Sequence, residues 1–167
     1  LVLCHEVGHF LGGAPKALRG NTQLRSWSSV EGQADYFATS KCLRTIFQDE
    51  LQNELYVREN HEREIDRLRP YCPSYQCMRI ALAGESSARV FAAIQGTPAL
   101  PDLSTPDRRA VPQTLASHPR AQCRLDTFLA GILCPVPSSE GFSDQNPEVG
   151  ACPRSSRGER PACWYSP

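Results

Sequence analysis

The residues best suited to chemistry stand near the start of the chain, in His5-Glu6-Val7-Gly8-His9. Two imidazoles four residues apart point the same way on a helix, so both can reach one metal ion. Glu6, on the same turn, is placed to hold and deprotonate a water there, the task of a general base. HExxH arises by chance in on the order of one in a few hundred chains of this size, so the motif does not decide the matter alone. A second group, Glu31-Gly32-Gln33-Ala34-Asp35, begins about 22 residues after His9. Glu31 would complete a His₂Glu ligand set that leaves a fourth position open. Asp35, one turn further on, is placed to accept the second N–H of a ligand histidine and fix its tautomer. The competing readings are a capping-box partner of Ser28 for Glu31 and an ordinary surface carboxylate for Asp35.

Such chemistry needs helices beneath it. The opening segment carries apolar residues at Leu3, Val7, Phe10 and Leu11, and Gly12-Gly13 followed by Pro15 stops it. A basic loop with Lys16, Arg19 and Arg25 leads to Ser28, a candidate N-cap. A second helix should then run to Phe47, with Ala34, Phe37, Ala38, Leu43, Ile46 and Phe47 on its apolar side. From Asp49 to Arg69 charge dominates: Glu54/Arg58 and Glu59/Arg63 are spaced to pair on one turn. Leu51, Leu55, Ile65 and Leu68 make only a thin apolar stripe, so this run, His61 included, reads as a solvated helix face. Pro70 to Cys77 is a break that Cys72 and Cys77 could close. Met78 to Gln95 reads as a third helix. Gly96 to Pro119 holds five prolines and reads as a loop. Ala121 to Cys134 is a fourth helix, with Pro119 in its first turn. No strand and no repeat is evident. The expected fold is mainly α: four main helices around one core in residues 1–134, with residues 135–167 a Pro/Cys-rich irregular tail packed on it.

Composition narrows the classes. With 167 residues and 40% hydrophobic residues, the chain can build a core. Eighteen Lys+Arg balance eighteen Asp+Glu, which argues against a general nucleic-acid binder. The longest apolar stretch, Thr127 to Val136, falls far short of the roughly 20 residues that span a bilayer. Eight cysteines favour disulfides and an oxidising compartment, periplasmic or secreted, over buried free thiols. Cys72/Cys77 and Cys123/Cys134 lack the spacing of a cysteine zinc knuckle. Cys123 and Cys134 would lie about 16 Å apart on one helix, so each needs a partner elsewhere, such as Cys42 or a tail cysteine. Cys152 and Cys163 are expected to pin the tail.

HExGH followed by ExxAD resembles the gluzincin metallopeptidases. His118-Pro119-Arg120-Ala121-Gln122-Cys123-Arg124 has the form HPxxxxR, and that order is similar to the family of the CAAX prenyl proteases, the HtpX-type membrane proteases and their soluble periplasmic relatives. The resemblance covers about residues 1–47 and 115–130. It implies a zincin-like helical core in which His5, His9 and Glu31 bind zinc and Glu6 is the base. Asp35 would support a ligand, His118 would stabilise the oxyanion and Arg124 would brace the site. The implied substrate is a polypeptide, unfolded or misassembled proteins among the candidates. The family's membrane helices are absent, and the strand that it places before the active helix is expected to be missing from this fragment. Without the resemblance, a His before Pro such as His118 reads as structural. Two other classes compete: a non-catalytic zinc-binding assembly or quality-control factor that binds unfolded proteins, and a small disulfide-stapled interaction module.

Overall fold

The computed structural model describes residues 1–20 and 24–167. The fold is mainly helical. Helix α1 (Val2–Leu11) leads through a hairpin, β1 (Lys16–Leu18) and β2 (Arg25–Ser29), into α2 (Glu31–Phe37). A π-type turn (Ala38–Cys42) continues α2 into α3 (Leu43–Ile46). Then come α4 (Glu50–His61), α5 (Ile65–Leu68), the long α6 (Tyr75–Ile94) and α7 (Ala121–Leu133).

The hairpin departs from the expectation of no strand. Lys16 pairs with Ser29 and Leu18 with Arg25, antiparallel, across a bulge. These strands are short and lack apolar alternation, so the sequence carried no period-2 signal. Their order comes from outside: Phe10 of α1 stacks on Trp27, with ring centroids 4.5 Å apart, and Lys16 Nζ pairs with Asp144 Oδ1 of the tail at 2.7 Å. Ser28 therefore lies in a strand and caps nothing. Val30, in extended conformation and without a side-chain cap, precedes α2.

The buried side of α1 is not its apolar side. Cys4, His5 and Gly8 are inside, whereas Leu3 is 77% and Phe10 63% exposed. Two features hold α1 in this orientation. Cys4 is disulfide-bonded to Cys42. A Cβ on Gly8 would stand 2.7 Å from Ala34 O, so only glycine lets α1 and α2 approach this closely. The π-type turn explains a second departure. One extra residue per turn rotates everything beyond it, which leaves Leu43 buried but turns Ile46 to solvent, 60% exposed.

The charged run is docked rather than merely solvated. Asp49 accepts from Gln52 N and starts α4, and Glu54 pairs with Arg58. The inward residues of α4 are Asn53 and Val57, not Leu51 and Leu55. Asn53 tolerates burial because Nδ2 donates to Phe47 O at 2.7 Å and Oδ1 accepts from Arg79 at 3.1 Å. No Glu59–Arg63 pair forms among the described residues; Arg63 falls in a 3₁₀ turn (Glu62–Glu64), where the four-residue spacing no longer stacks. In α5, Arg67 clamps the buried Glu85 of α6 with two hydrogen bonds, 2.8 and 2.6 Å.

Helix α6 starts three residues earlier than expected because Ser74 caps it, accepting from Cys77 N at 3.2 Å. Helix α7 starts at Ala121 with Arg120 in the cap position, so Pro119 lies outside its first turn. Three disulfides form: Cys4–Cys42, Cys72–Cys77 and Cys123–Cys163. The tail is pinned by Cys163 alone, since Cys134 and Cys152 are buried free thiols. Packing does the rest of the pinning. Trp164 is fully buried against Gly32, and Tyr36 Oη donates to Gly158 O at 2.7 Å. No helix of the described residues is long and apolar enough to cross a membrane.

Candidate metal centre

Helices α1 and α2 cross where Gly8 meets Ala34, and that crossing sets His5 and His9 opposite Glu31. His5 Nε2 lies 3.2 Å and His9 Nε2 3.7 Å from Glu31 Oε2. His118 Nε2 reaches the same oxygen, at 3.2 Å, from the chain before α7. Glu31 Oε2 is buried and has no hydrogen-bond partner; none of the three imidazoles is aligned to donate to it. A buried, unpartnered carboxylate oxygen is costly.

The far side of each ring explains the orientation. His5 Nδ1 lies 2.7 Å from Asp35 Oδ1, and His9 Nδ1 lies 2.9 Å from Ser29 O. Both oxygens can only accept, so both Nδ1 atoms carry hydrogen. In the neutral rings the Nε2 lone pairs are then left facing Glu31. This tautomer suits a pair of metal ligands. Ser28 Oγ also approaches His9 Nδ1, at 3.2 Å.

Asp35 is itself held. Arg124 of α7 donates from Nε to Oδ2 at 2.8 Å and from Nη2 to Oδ1 at 2.7 Å. Its guanidinium lies 3.6 Å from the centroid of the Phe91 ring in α6. A chain of contacts thus runs from the α6 face through Arg124 and Asp35 to His5.

The charges respond to this packing. Burial pushes the His5 imidazole down, but the carboxylates of Asp35 and Glu31 outweigh it and raise the group to about 9. Burial pushes the Glu31 carboxyl up, yet the close imidazoles of His5, His118 and His9 bring it below its ordinary value. A cation at this point would take over what the protons now supply.

Glu6 stands on the exposed side of α1, next to His5, and makes no hydrogen bond or ion pair among the described residues. His118 is exposed, with 63% of its side chain open. Its segment is anchored by Val111 N to Ala162 O, Leu115 N to Trp164 O, and Gln95 Nε2 to Pro119 O. Sequence reasoning gave no place in the site to the Ser29 carbonyl, to Phe91 or to Ser28, which it read as an N-cap. A backbone carbonyl carries no residue signature, and Phe91 reads as a plain core position.

His5, His9 and Glu31 offer ligand atoms that all lie within 4.8 Å of one another. Asp107, Cys123 and Cys163 cluster as tightly, but both sulfurs are spent in a disulfide. The histidine–carboxylate group offers two imidazoles, which bind once neutral, and one carboxylate, a donor set that could hold a divalent metal ion. No protein-family model, curated protein or solved structure matches the chain.

Proposed function

We propose that the chain is a zinc-dependent endopeptidase with a zincin-like core, acting outside the cytoplasm. One observation carries the reading: Glu31 Oε2 is buried without a hydrogen-bond partner, and the Nε2 atoms of His5 and His9 converge on it. The three disulfides support an oxidising compartment. A zinc ion held by His5, His9 and Glu31 would supply the Lewis acidity that polarises a peptide carbonyl and acidifies water.

The chain's own groups do the rest. The Glu6 carboxylate accepts a proton from the attacking water and passes it to the departing amine nitrogen. His118 Nε2 donates to the carbonyl oxygen as charge builds on it. Asp35 keeps the His5 proton on Nδ1, and Arg124 keeps Asp35 in place.

The test is hydrolysis of a permanently unfolded protein, such as reduced and alkylated casein, by the zinc-loaded chain beside its Glu6→Gln variant. Cleavage by the first only, with equal zinc in both, is expected. Equal zinc and no cleavage by either would favour a non-catalytic factor that binds unfolded chains. Absence of stoichiometric zinc would end both readings.

A further inference from the structure

Beside His118 the surface is cut by two adjoining cavities. The first, about 410 Å³, begins at His118 and is walled by Val111, Pro112 and Leu115 and by the Cys123–Cys163 disulfide. The second, about 320 Å³, lies against Leu100 and Pro101. Arg109 and Arg120 line both, so the two are halves of one trough with these two arginines at its waist.

The charge there is unbalanced. Neither lining contains a carboxylate, although the chain as a whole has as many acids as bases. Asp107 sits behind Arg109, its side chain 5% exposed against 46% for Arg109. Asp107 is held in turn by its own N–H, which donates to Asp126 Oδ2 at 2.7 Å. Asp107 thus takes the Nε and Nη2 donors of Arg109 and offsets its charge, which leaves Arg120 as the uncompensated arginine of the trough. Arg120 is exposed, and its side chain makes no ion pair or hydrogen bond among the described residues. It stands at the N-terminal cap of α7, whose dipole adds positive character on the same side.

We propose that this trough takes the substrate polypeptide in extended form and selects an Asp or Glu side chain near the cleaved bond, with Arg120 as its receptor. The inference rests on the peptidase reading for its place beside a scissile bond. The apolar walls on either side of the waist accommodate aliphatic neighbours of that acid. A guanidinium fork matches a carboxylate in a way that a point charge does not.

The experiment separates the trough from the hydrolysis. Fluorescent twelve-residue peptides with Leu and Val flanking a central Glu, Gln or Lys are titrated into zinc-loaded full chain carrying Glu6→Gln. The Glu peptide should bind about five- to tenfold more tightly than the Gln peptide, and the Lys peptide should bind most weakly. Arg120→Gln should flatten that order and Arg120→Glu should reverse it, while the melting temperature stays unchanged. Equal affinity for all three peptides, no binding of any, or an order that survives Arg120→Glu would overturn the proposal. Cleavage of the same peptides by the unmodified chain is scored separately. Binding in the expected order without cleavage keeps the acidic-peptide trough and sinks the peptidase reading.

Discussion

Asp35 and Arg124 form a two-pronged ion pair with 0% and 2% of their side chains exposed, and the remaining partner of Asp35 is the Nδ1 atom of His5. The pair spans 89 residues of sequence and ties α7 to the face of α2 that presents Glu31. Charges so deeply buried survive only because each has its opposite in place.

That relationship predicts different outcomes for two variants. Asp35→Asn strands the Arg124 charge and should cost about 3–5 kcal/mol in urea unfolding. It should also weaken zinc about 10–100-fold, read by competition with a chromophoric chelator. The double variant Asp35→Asn/Arg124→Met removes both charges, so much of the stability should return. Zinc affinity should not return, because His5 still lacks its carboxylate. A double variant that recovers both would show that Asp35 serves packing alone.

The pH dependence has opposite signs with and without metal. In the metal-free chain His5 is raised to about 9 from an ordinary 6.5. The folded state therefore holds that proton more tightly, and its stabilisation is complete below about 6.5 and lost as pH climbs through about 9. Metal-free melting temperature should fall across that window. Metal uptake must expel the same proton, so apparent zinc affinity should drop about tenfold for each pH unit below about 9. A flat affinity profile would show that His5 is not a ligand.

Gly8→Ala tests the helix crossing. The added methyl meets Ala34 O at 2.7 Å and Ala34 Cα at 2.9 Å, both backbone positions that cannot rotate away. We expect a loss of about 1–3 kcal/mol in stability. Zinc affinity should fall with it, because His5 and His9 move off Glu31. Metal affinity unchanged in a destabilised variant would mean that the ligands do not depend on this contact.

The cysteines give a chemical count. Cys134 and Cys152 are free and buried, and burial pushes the Cys152 thiol up to about 11. A thiol reagent should find none in the native chain, two after unfolding without reductant, and eight after unfolding with reductant then removed. None after unfolding would show a fourth disulfide.

Local pattern made much of the frame legible. Helices α6 and α7 lie close to where their Ala-rich and apolar periods place them, and Gly12-Gly13 ends α1. Pattern failed where tertiary contacts outweigh it. Leu3 and Phe10 of α1 face solvent because the helix turns its Cys4–His5–Gly8 side inward, and Ile46 is rotated out by a π-type turn that has no sequence mark. The hairpin was missed because its strands draw their order from α1, through Phe10 and His9, and from Asp144 of the tail rather than from an apolar face of their own.

By itself, the sequence determined which residues share a turn. His5 with His9, and Glu31 with Asp35, are fixed by the repeat of a single helix, a property of a few consecutive residues. Only the tertiary structure decided that Glu31 Oε2 meets two imidazoles from another helix, that Asp35 answers to Arg124, and that His118 reaches the same carboxylate. It also selected Cys4–Cys42 and Cys123–Cys163 and left Cys134 and Cys152 unpaired. Those meetings depend on how close two helices can pass, which here turns on the missing side chain of Gly8. Spacing along the chain holds no record of that distance.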